Sequence, residues 1–231
     1  MRIELMGDTG DCAGLPLTVL VLGFGQNGAV FRRLFAGQGD VAIIYDYTKR
    51  EERSGDWEVL TRASSLRVLA WSLGVKMAPL VLGKAQAKVN YALAYNGTPW
   101  GVDQDFGLPP RGYHYLMRFL KPESAQKLFS DMVGGTMEPS FMENAPWREV
   151  EHLKEELTSL EAAPVQNAAF KWNGALVGLS DRLFPPESQV RAWEKLQVPV
   201  RVLEGSLHHY SAQVFKEVVS AYRAGREIRL V

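Results

Sequence analysis

Residues 66–82, LRVLAWSLGVKMAPLVL, are the stretch that decides the fold. The part from Leu66 to Trp71 is a mainly apolar run with the length of a buried strand, and residues 75–82 follow as an apolar helical segment. Ala70 and Gly74 are small residues on either side of Ser72, and they permit the tight turn that lifts a side chain off the edge of a sheet. The segment therefore predicts a strand, a sharp turn that presents Ser72, and a helix.

Strands and helices alternate on both sides of this segment. Such alternation is typical of a mainly parallel central sheet flanked by helices, with right-handed crossovers between the strands. The predicted strands lie at 17–22, 41–45, 88–94, 175–180 and 198–203, and the predicted helices lie at 27–35, from 187 onward and at 212–222.

The rhythm changes between residues 96 and 173, where Pro, Gly, Met and aromatic residues are frequent and the clear patterns are helical, at 122–132 and 148–160. We therefore predict an α/β core formed by residues 1–95 and 174–231, with residues 96–173 inserted as a helical cap.

Composition excludes several classes of function. With 46% hydrophobic residues among 231, the chain can bury one sizeable core. The 26 basic residues balance 26 acidic ones, so the overall charge gives no reason to expect nucleic acid or an anionic membrane as partner. The single cysteine, Cys12, excludes a disulfide within the chain and a zinc site built from several cysteines. We expect a soluble cytoplasmic protein, because the sequence contains neither a signal-peptide core nor a long apolar run. We also expect no metal and no cofactor.

A serine hydroxyl becomes a useful nucleophile only when a base takes its proton and a third group orients that base. In strand-turn-helix hydrolases the order along the chain is Ser, acid, His. Asp181 directly follows a predicted strand, and His208 and His209 follow the next one. The joint placement predicts a triad of Ser72, Asp181 and His209, with His208 as the adjacent alternative. The other acids and histidines fit this order less well: Asp46, Asp103, Asp105, His114 and His152.

A second interpretation rests on residues 23–28, GFGQNG, which follow a predicted strand and match the glycine pattern of dinucleotide-binding loops. Asp46 ends the next strand, about 20 residues further on, where such proteins carry an acidic residue. The same glycines also suit a hydrolase, in which the loop brings a backbone N–H to the oxyanion. The N–H groups of Phe24 and Leu73 would then be the two donors. The dinucleotide interpretation gives no role to Ser72 or Asp181 and is kept as the alternative.

The chain resembles the pimeloyl-acyl-carrier-protein methyl ester esterases of biotin synthesis, in their smaller branch, distinct from the enterobacterial enzyme. The resemblance covers most of the chain and implies an α/β-hydrolase fold. The motifs that carry it are Leu22-Gly23-Phe24-Gly25, Tyr45-Asp46-Tyr47, Ala70-Trp71-Ser72-Leu73-Gly74-Val75, Asn96-Gly97-Thr98-Pro99, Asp103 with Phe106-Gly107-Leu108-Pro109, Ser180-Asp181-Arg182-Leu183-Phe184-Pro185 with Gln189 and Trp193, and Glu204-Gly205 before His209-Tyr210.

The resemblance implies hydrolysis of the methyl ester of pimeloyl carried on acyl carrier protein, with Ser72 as nucleophile, Asp181 as acid and His209 as base. Tyr210, which directly follows His209, favours His209 over His208 as the base. The family usually has Trp where Phe24 stands and Met where Leu73 stands. Because these residues donate through the backbone N–H, the chemistry is expected to be the same while the pocket wall changes.

The inserted segment also supplies candidates for substrate and partner binding. Apolar side chains there are expected to wall a channel for an aliphatic chain, and basic ones to meet phosphopantetheine and an acidic carrier protein, although helix packing and a solvated face explain the same residues. The alternatives in function are a general carboxylesterase or thioesterase, a dinucleotide-binding protein, and an inactive carrier-protein binder. The substrate candidates are Trp71, Met117, Phe119 and Phe129, and the docking candidates are Arg111, Arg118, Lys121 and Lys127.

Overall fold

A seven-stranded sheet forms the centre of the molecule, with strand order β1-β3-β2-β4-β5-β6-β7. β1 pairs antiparallel with β3, and every other pairing is parallel, which confirms the predicted mainly parallel sheet. The computed structural model describes residues 1–7, 14–26, 28–49, 52–121, 149–165, 170–208 and 211–226. The strands are β1 Arg2–Met6, β2 Pro16–Val21, β3 Gln38–Tyr45, β4 Ser65–Trp71, β5 Val89–Tyr95, β6 Gly174–Gly178 and β7 Val200–Leu203.

Helices cover both faces of this sheet. Within the described ranges, none of them combines the length and apolar character needed to cross a membrane. Their bounds are α1 Gly28–Leu34, α2 Val59–Arg62, α3 Gly74–Leu82, α4 Pro110–Phe119, α5 Val150–Ala162, α6 Pro186–Lys195 and α7 Ala212–Arg223, with a short 3-10 helix at Gly83–Lys88.

Two apolar clusters pack on the two faces of the sheet, because successive side chains of a strand point to opposite sides. In β4, Val68 and Ala70 belong to one cluster while Leu69 and Trp71 belong to the other. α1 and α7 cover the second face, and the remaining helices contribute to the first. Strands buried on both faces explain the near-continuous apolar runs seen in the sequence.

The inserted segment leaves the sheet at the end of β5 and returns at β6, which is the neighbouring strand. Its helix α5 matches the predicted helix at 148–160, whereas the predicted helix at 122–132 lies outside the described residues. Buried side chains of α4 and α5 belong to the same apolar cluster as α3. The division into a core and an inserted cap stays a prediction.

Four elements were not predicted from the sequence: β1, α2, the 3-10 helix and α4. β1 is an edge strand in which only Ile3 and Met6 are buried, so its apolar pattern is weak. α4 begins at the second of two prolines, a position that proline favours because its missing N–H has no intrahelical partner. Its inward residues, Tyr113, Leu116 and the following Leu120, repeat at helical spacing within a segment otherwise rich in polar and aromatic residues.

We predict that Gly74→Ala strongly destabilises the fold. A methyl group there would lie 2.5 Å from the carbonyl oxygen of Leu22 and still closer to that of Val21, so α3 would have to move away from β2. We expect a loss of about 2–4 kcal/mol in the free energy of unfolding, measured by urea denaturation.

The matched control is Gly112→Ala in α4, where an added methyl group meets no atom within 4 Å. This change should stabilise the protein by roughly 0.5–1 kcal/mol, because alanine loses less backbone entropy in a helix. Equal effects of the two substitutions would contradict the tight contact between α3 and β2.

Candidate active site

Ser72 stands on a sharp turn between β4 and α3, with a backbone φ of 57°. Its N–H donates to the carbonyl of Tyr95 at 2.9 Å, and its own carbonyl accepts from Val75 N–H at 3.0 Å. A Cβ on Gly23 would lie 2.8 Å from Ser72 Cβ, and a Cβ on Gly97 would lie 2.9 Å from the Ser72 carbonyl carbon. Close approach of two glycine backbones thus makes room for the predicted strained turn.

His208 links Ser72 to Asp181. Its Nε2 lies 2.8 Å from Ser72 Oγ, and its Nδ1 lies 2.9 Å from Asp181 Oδ2. A carboxylate only accepts hydrogen bonds, so Nδ1 carries a proton and Nε2 of the neutral ring is the acceptor for the serine hydroxyl. All three residues are buried. This arrangement is suited to moving a proton from the hydroxyl to the imidazole.

The predicted base, His209, lies outside the described residues, and His208 occupies the position expected for the base. The backbone of this loop is fixed at the histidine itself. Trp71 Nε1 donates to the His208 carbonyl at 3.0 Å, and Asn96 Nδ2 donates to the Leu207 carbonyl at 2.7 Å. These bonds set which side chain turns toward Ser72, so the structure corrects the prediction by one residue.

Asp181 is held by donors on both carboxylate oxygens. Oδ1 accepts from the backbone N–H groups of Leu183 and Phe184, each at 2.8 Å. Oδ2 accepts from Gln189 Nε2 at 3.1 Å in addition to His208. The Phe184 ring is parallel to the imidazole within 7°, at 5.6 Å between centroids. Packing and hydrogen bonds therefore fix the acid and the imidazole in one orientation.

The other acids and histidines have different partners. Asp103 Oδ1 accepts from the N–H groups of Asp105 and Phe106 and so stabilises a turn. Asp46 Oδ1 accepts from Thr48 N–H at 3.4 Å in the loop after β3. His114 pairs with Glu161, and both side chains are exposed. None of the bonds described for these residues reaches the Ser72, His208 and Asp181 cluster.

Asn96 belongs to one of the motifs that carry the resemblance, but no role in the site was predicted for it from the sequence. It is fully buried at a φ of 46°, and its Oδ1 accepts from Gly178 N–H at 2.7 Å. It therefore ties the end of β5 to the end of β6 and to the histidine loop. The available signal was an Asn-Gly pair at a strand end, since asparagine tolerates the left-handed region better than most residues.

The predicted oxyanion donors lie beside Ser72. Phe24 and Leu73 both line a narrow cavity that contains Ser72 and His208. Leu73 directly precedes the first residue of α3, where backbone N–H groups have no intrahelical partner. Gln26 Nε2 donates to the Phe24 carbonyl at 3.2 Å and so holds the peptide that follows Phe24.

The apolar lining of this cavity differs in part from the prediction. Trp71 lines it, whereas Met117 packs against the core, Phe119 is 40% exposed, and Phe129 lies outside the described residues. The difference arises because α4 is oriented about its axis with Tyr113 and Leu116 facing the interior. The cavity holds about 30 Å³, and its remaining apolar walls are Leu108, Tyr113, Leu116, Leu157 and Leu183.

A wider groove of about 400 Å³ shares Leu108 and Leu183 with the cavity. Its charged residues are Arg111 and Arg182, both exposed at the surface. Among the predicted docking residues, Arg118 and Lys121 are also exposed, and Lys127 lies outside the described residues. Arg182 was not predicted, although it directly follows Asp181.

The glycine loop that favoured dinucleotide binding is occupied by a carboxylate of the chain itself. Gly25 N–H donates to Glu156 Oε2 at 2.9 Å, at the glycine whose backbone would approach a pyrophosphate. Glu156 is fully buried. The Gly25 N–H is already bonded to this carboxylate, so it does not serve as a donor to a pyrophosphate, and this argues against the dinucleotide interpretation.

Comparison with solved structures places this architecture among the α/β hydrolases. The crystal structure of BioG from Haemophilus influenzae superimposes with a TM-score of 0.73 at 26% identity, over 93% of this chain and 96% of that one. An enol-lactonase from Burkholderia xenovorans superimposes with a TM-score of 0.60 at 16% identity, over 96% of this chain and 95% of that one. The second likeness concerns the fold alone.

Comparison of sequences identifies the family to which the chain belongs. A malonyl-[acyl-carrier protein] O-methyltransferase of Bacteroides fragilis is 34% identical over 200 residues, which are 84% of this chain. The chain spans only 39% of the length of that protein. Residues 8–219 match the family model described as pimeloyl-ACP methyl esterase BioG. With nearly the whole chain matched, the protein belongs to the BioG family.

Proposed function

We propose that this protein is a serine esterase that hydrolyses the methyl ester of pimeloyl carried on acyl carrier protein. The products are methanol and pimeloyl-acyl carrier protein, and the latter is used in biotin synthesis. The observation that carries the proposal is the unbroken hydrogen-bonded series from Ser72 Oγ through His208 to Asp181. Membership of the BioG family supports the choice of substrate.

In the proposed mechanism, His208 Nε2 takes the hydroxyl proton as Ser72 Oγ attacks the ester carbonyl, and Asp181 stabilises the resulting imidazolium. The N–H groups of Phe24 and Leu73 stabilise the oxyanion of the tetrahedral intermediate, each contributing about 3 kcal/mol. The proton on His208 passes to the departing methoxide, which leaves as methanol. Water, activated by His208, then cleaves the acyl-enzyme to the free carboxylic acid.

The cavity walls support an acyl substrate whose ester group lies among apolar side chains. Leu73, Leu116 and Leu157 lie around Ser72, and the lining is predominantly apolar. An apolar wall binds methylene groups by removing them from water, at about 0.8 kcal/mol for each. A methyl ester fits such surroundings because it carries no charge. The carboxylate product is charged and fits them poorly.

The groove beside the cavity supports a carrier-bound substrate over a small free ester. It reaches the catalytic cavity through the shared Leu108 and Leu183. Arg111 and Arg182 make no ion pair with the part of the chain that the structure describes, so their charges are available to the phosphate of a phosphopantetheine arm. A general carboxylesterase with the same triad does not require these two charges.

The relative from Bacteroides fragilis fits the same chemistry. Its name describes methyl transfer to an acid held on acyl carrier protein. A methyl ester on such a carrier is the kind of substrate that the proposed enzyme would hydrolyse.

We predict that Ser72→Ala and His208→Ala each lower kcat/KM for a soluble ester by on the order of 10³-fold or more, because both remove the activated nucleophile. His209→Ala should retain most of the activity. Initial rates and labelling of Ser72 by a fluorophosphonate probe provide the measurements. If His209→Ala loses activity while His208→Ala keeps it, the assignment of the base is wrong.

We predict that Arg111→Glu and Arg182→Glu each weaken binding of the carrier-bound substrate and raise KM for its methyl ester by about tenfold. The kinetics of a small soluble ester should stay unchanged. The reason is that charge reversal repels the phosphate without touching the triad. Arg33→Glu, an exposed charge reversal in α1, is the matched control. Equal effects on both substrates would count against docking at the groove.

A further inference from the structure

Glu156 is a buried carboxylate that the mechanism above does not use. It lies on α5, and its side chain is fully shielded from solvent. Burying a carboxylate is costly unless hydrogen bonds replace its hydration. Its two oxygens are both engaged by backbone N–H groups, Oε1 by Tyr47 and Oε2 by Gly25, each at 2.9 Å.

These two contacts lie on the loop after β2 and the loop after β3. Gly25 follows Phe24 directly, and it has a φ of 72°, in the region that favours glycine. On the other side of Phe24, the Tyr47 hydroxyl donates to the carbonyl of Leu22 at 2.8 Å. Glu156 and Tyr47 together therefore hold the segment of residues 22–25 at both of its ends.

The phenol of Tyr47 is suited to this role. Complete burial raises its pKa well above the ordinary value, and the Glu156 and Asp46 carboxylates raise it further. The raised pKa favours the protonated phenol, which is the form that donates to the Leu22 carbonyl.

The helix that carries Glu156 is itself anchored beside the nucleophile. Lys76 of α3 is buried, and its ammonium group donates to the carbonyls of Leu160 and Glu161 at 3.0 and 3.1 Å. A cation at the last carbonyls of a helix also interacts favourably with the helix dipole. The hydroxyl of Tyr113 donates to the carbonyl of Leu157, one turn earlier in α5. Glu156 thus acts from a fixed support.

We propose that Glu156 is a positioning residue for the oxyanion hole: by binding the Gly25 and Tyr47 N–H groups, it fixes the segment that presents the Phe24 N–H to the reacting carbonyl. This inference rests on the proposed esterase function. Because an oxyanion donor acts only in the transition state, its misplacement lowers kcat more than it changes KM.

The test is Glu156→Gln, which keeps the size of the side chain but leaves a single acceptor oxygen for two N–H groups. An alkyl boronic acid serves as the probe, since its tetrahedral adduct with Ser72 places an oxygen where the oxyanion forms. We expect kcat for a soluble ester to fall and the boronate Ki to rise, each by on the order of 10-fold to 100-fold, with KM within about twofold of wild type.

Glu155→Gln is the matched control, because it makes the same chemical change at an exposed position one residue away on α5. It should leave all three parameters unchanged. Rates are divided by the concentration of active sites, taken from stoichiometric labelling of Ser72 by a fluorophosphonate carried to completion. A loss of folded protein therefore does not imitate the expected effect.

Three outcomes overturn the inference. If Glu156→Gln binds the boronate as tightly as wild type does, while wild type hydrolyses esters and reacts with a fluorophosphonate, the positioning role alone is wrong. If wild type does neither, the proposed esterase function fails and this inference fails with it. If Glu156→Gln does not fold, Tyr47→Phe loosens the same segment at Leu22, and an unchanged boronate Ki in that variant refutes the proposal.

Discussion

The left-handed backbone of Ser72 is the constraint on which the rest of the site depends. A non-glycine residue in this region costs on the order of 1–3 kcal/mol and persists only when its surroundings hold it. Here β5 supplies the acceptor for its N–H, and the glycine at 23 allows the loop after β2 to approach its side chain. The glycine at 74 lets α3 start against β2. The turn, the first helix turn and two neighbouring loops are thus parts of one closely packed unit.

The parallel sheet explains why residues so distant in sequence meet at this turn. The carboxyl ends of β4, β6 and β7 lie at one edge, and Ser72, Asp181 and His208 each follow one of these strands. Open sheets of this kind bind ligands at that edge because the loops there diverge around a crevice. Asn96 joins the ends of β5 and β6 to the histidine loop through its side-chain amide. Side chains on the loops are therefore fixed by bonds between the loops as well as by the strands.

The segment between β5 and β6 contributes to the site through charge as well as apolar surface. α5 carries Glu156 into the interior, and Lys76 reaches from α3 to the end of that helix. Buried charges are weak contributors to stability because their desolvation opposes the bonds they form. Their bonds here join α5 to the glycine loop and to the helix after Ser72, so α5 belongs structurally to the wall of the site.

The sequence by itself determined the alternation of strands and helices, the turn at Ser72 and the position of Asp181 after a strand, because each is written in a local pattern of apolar, small and turn-forming residues. It did not determine β1, whose pattern is weak at a sheet edge, or the rotation of α4, which depends on packing against its neighbours. The choice of His208 over the adjacent histidine was decided only by tertiary structure. Two neighbouring residues share the same local signal, and it is the bonds from Trp71 and Asn96 to the loop backbone that turn one imidazole toward Ser72. The role of Glu156 also required the tertiary structure, since nothing near it in sequence indicates that a glutamate of α5 meets backbone N–H groups more than 100 residues away.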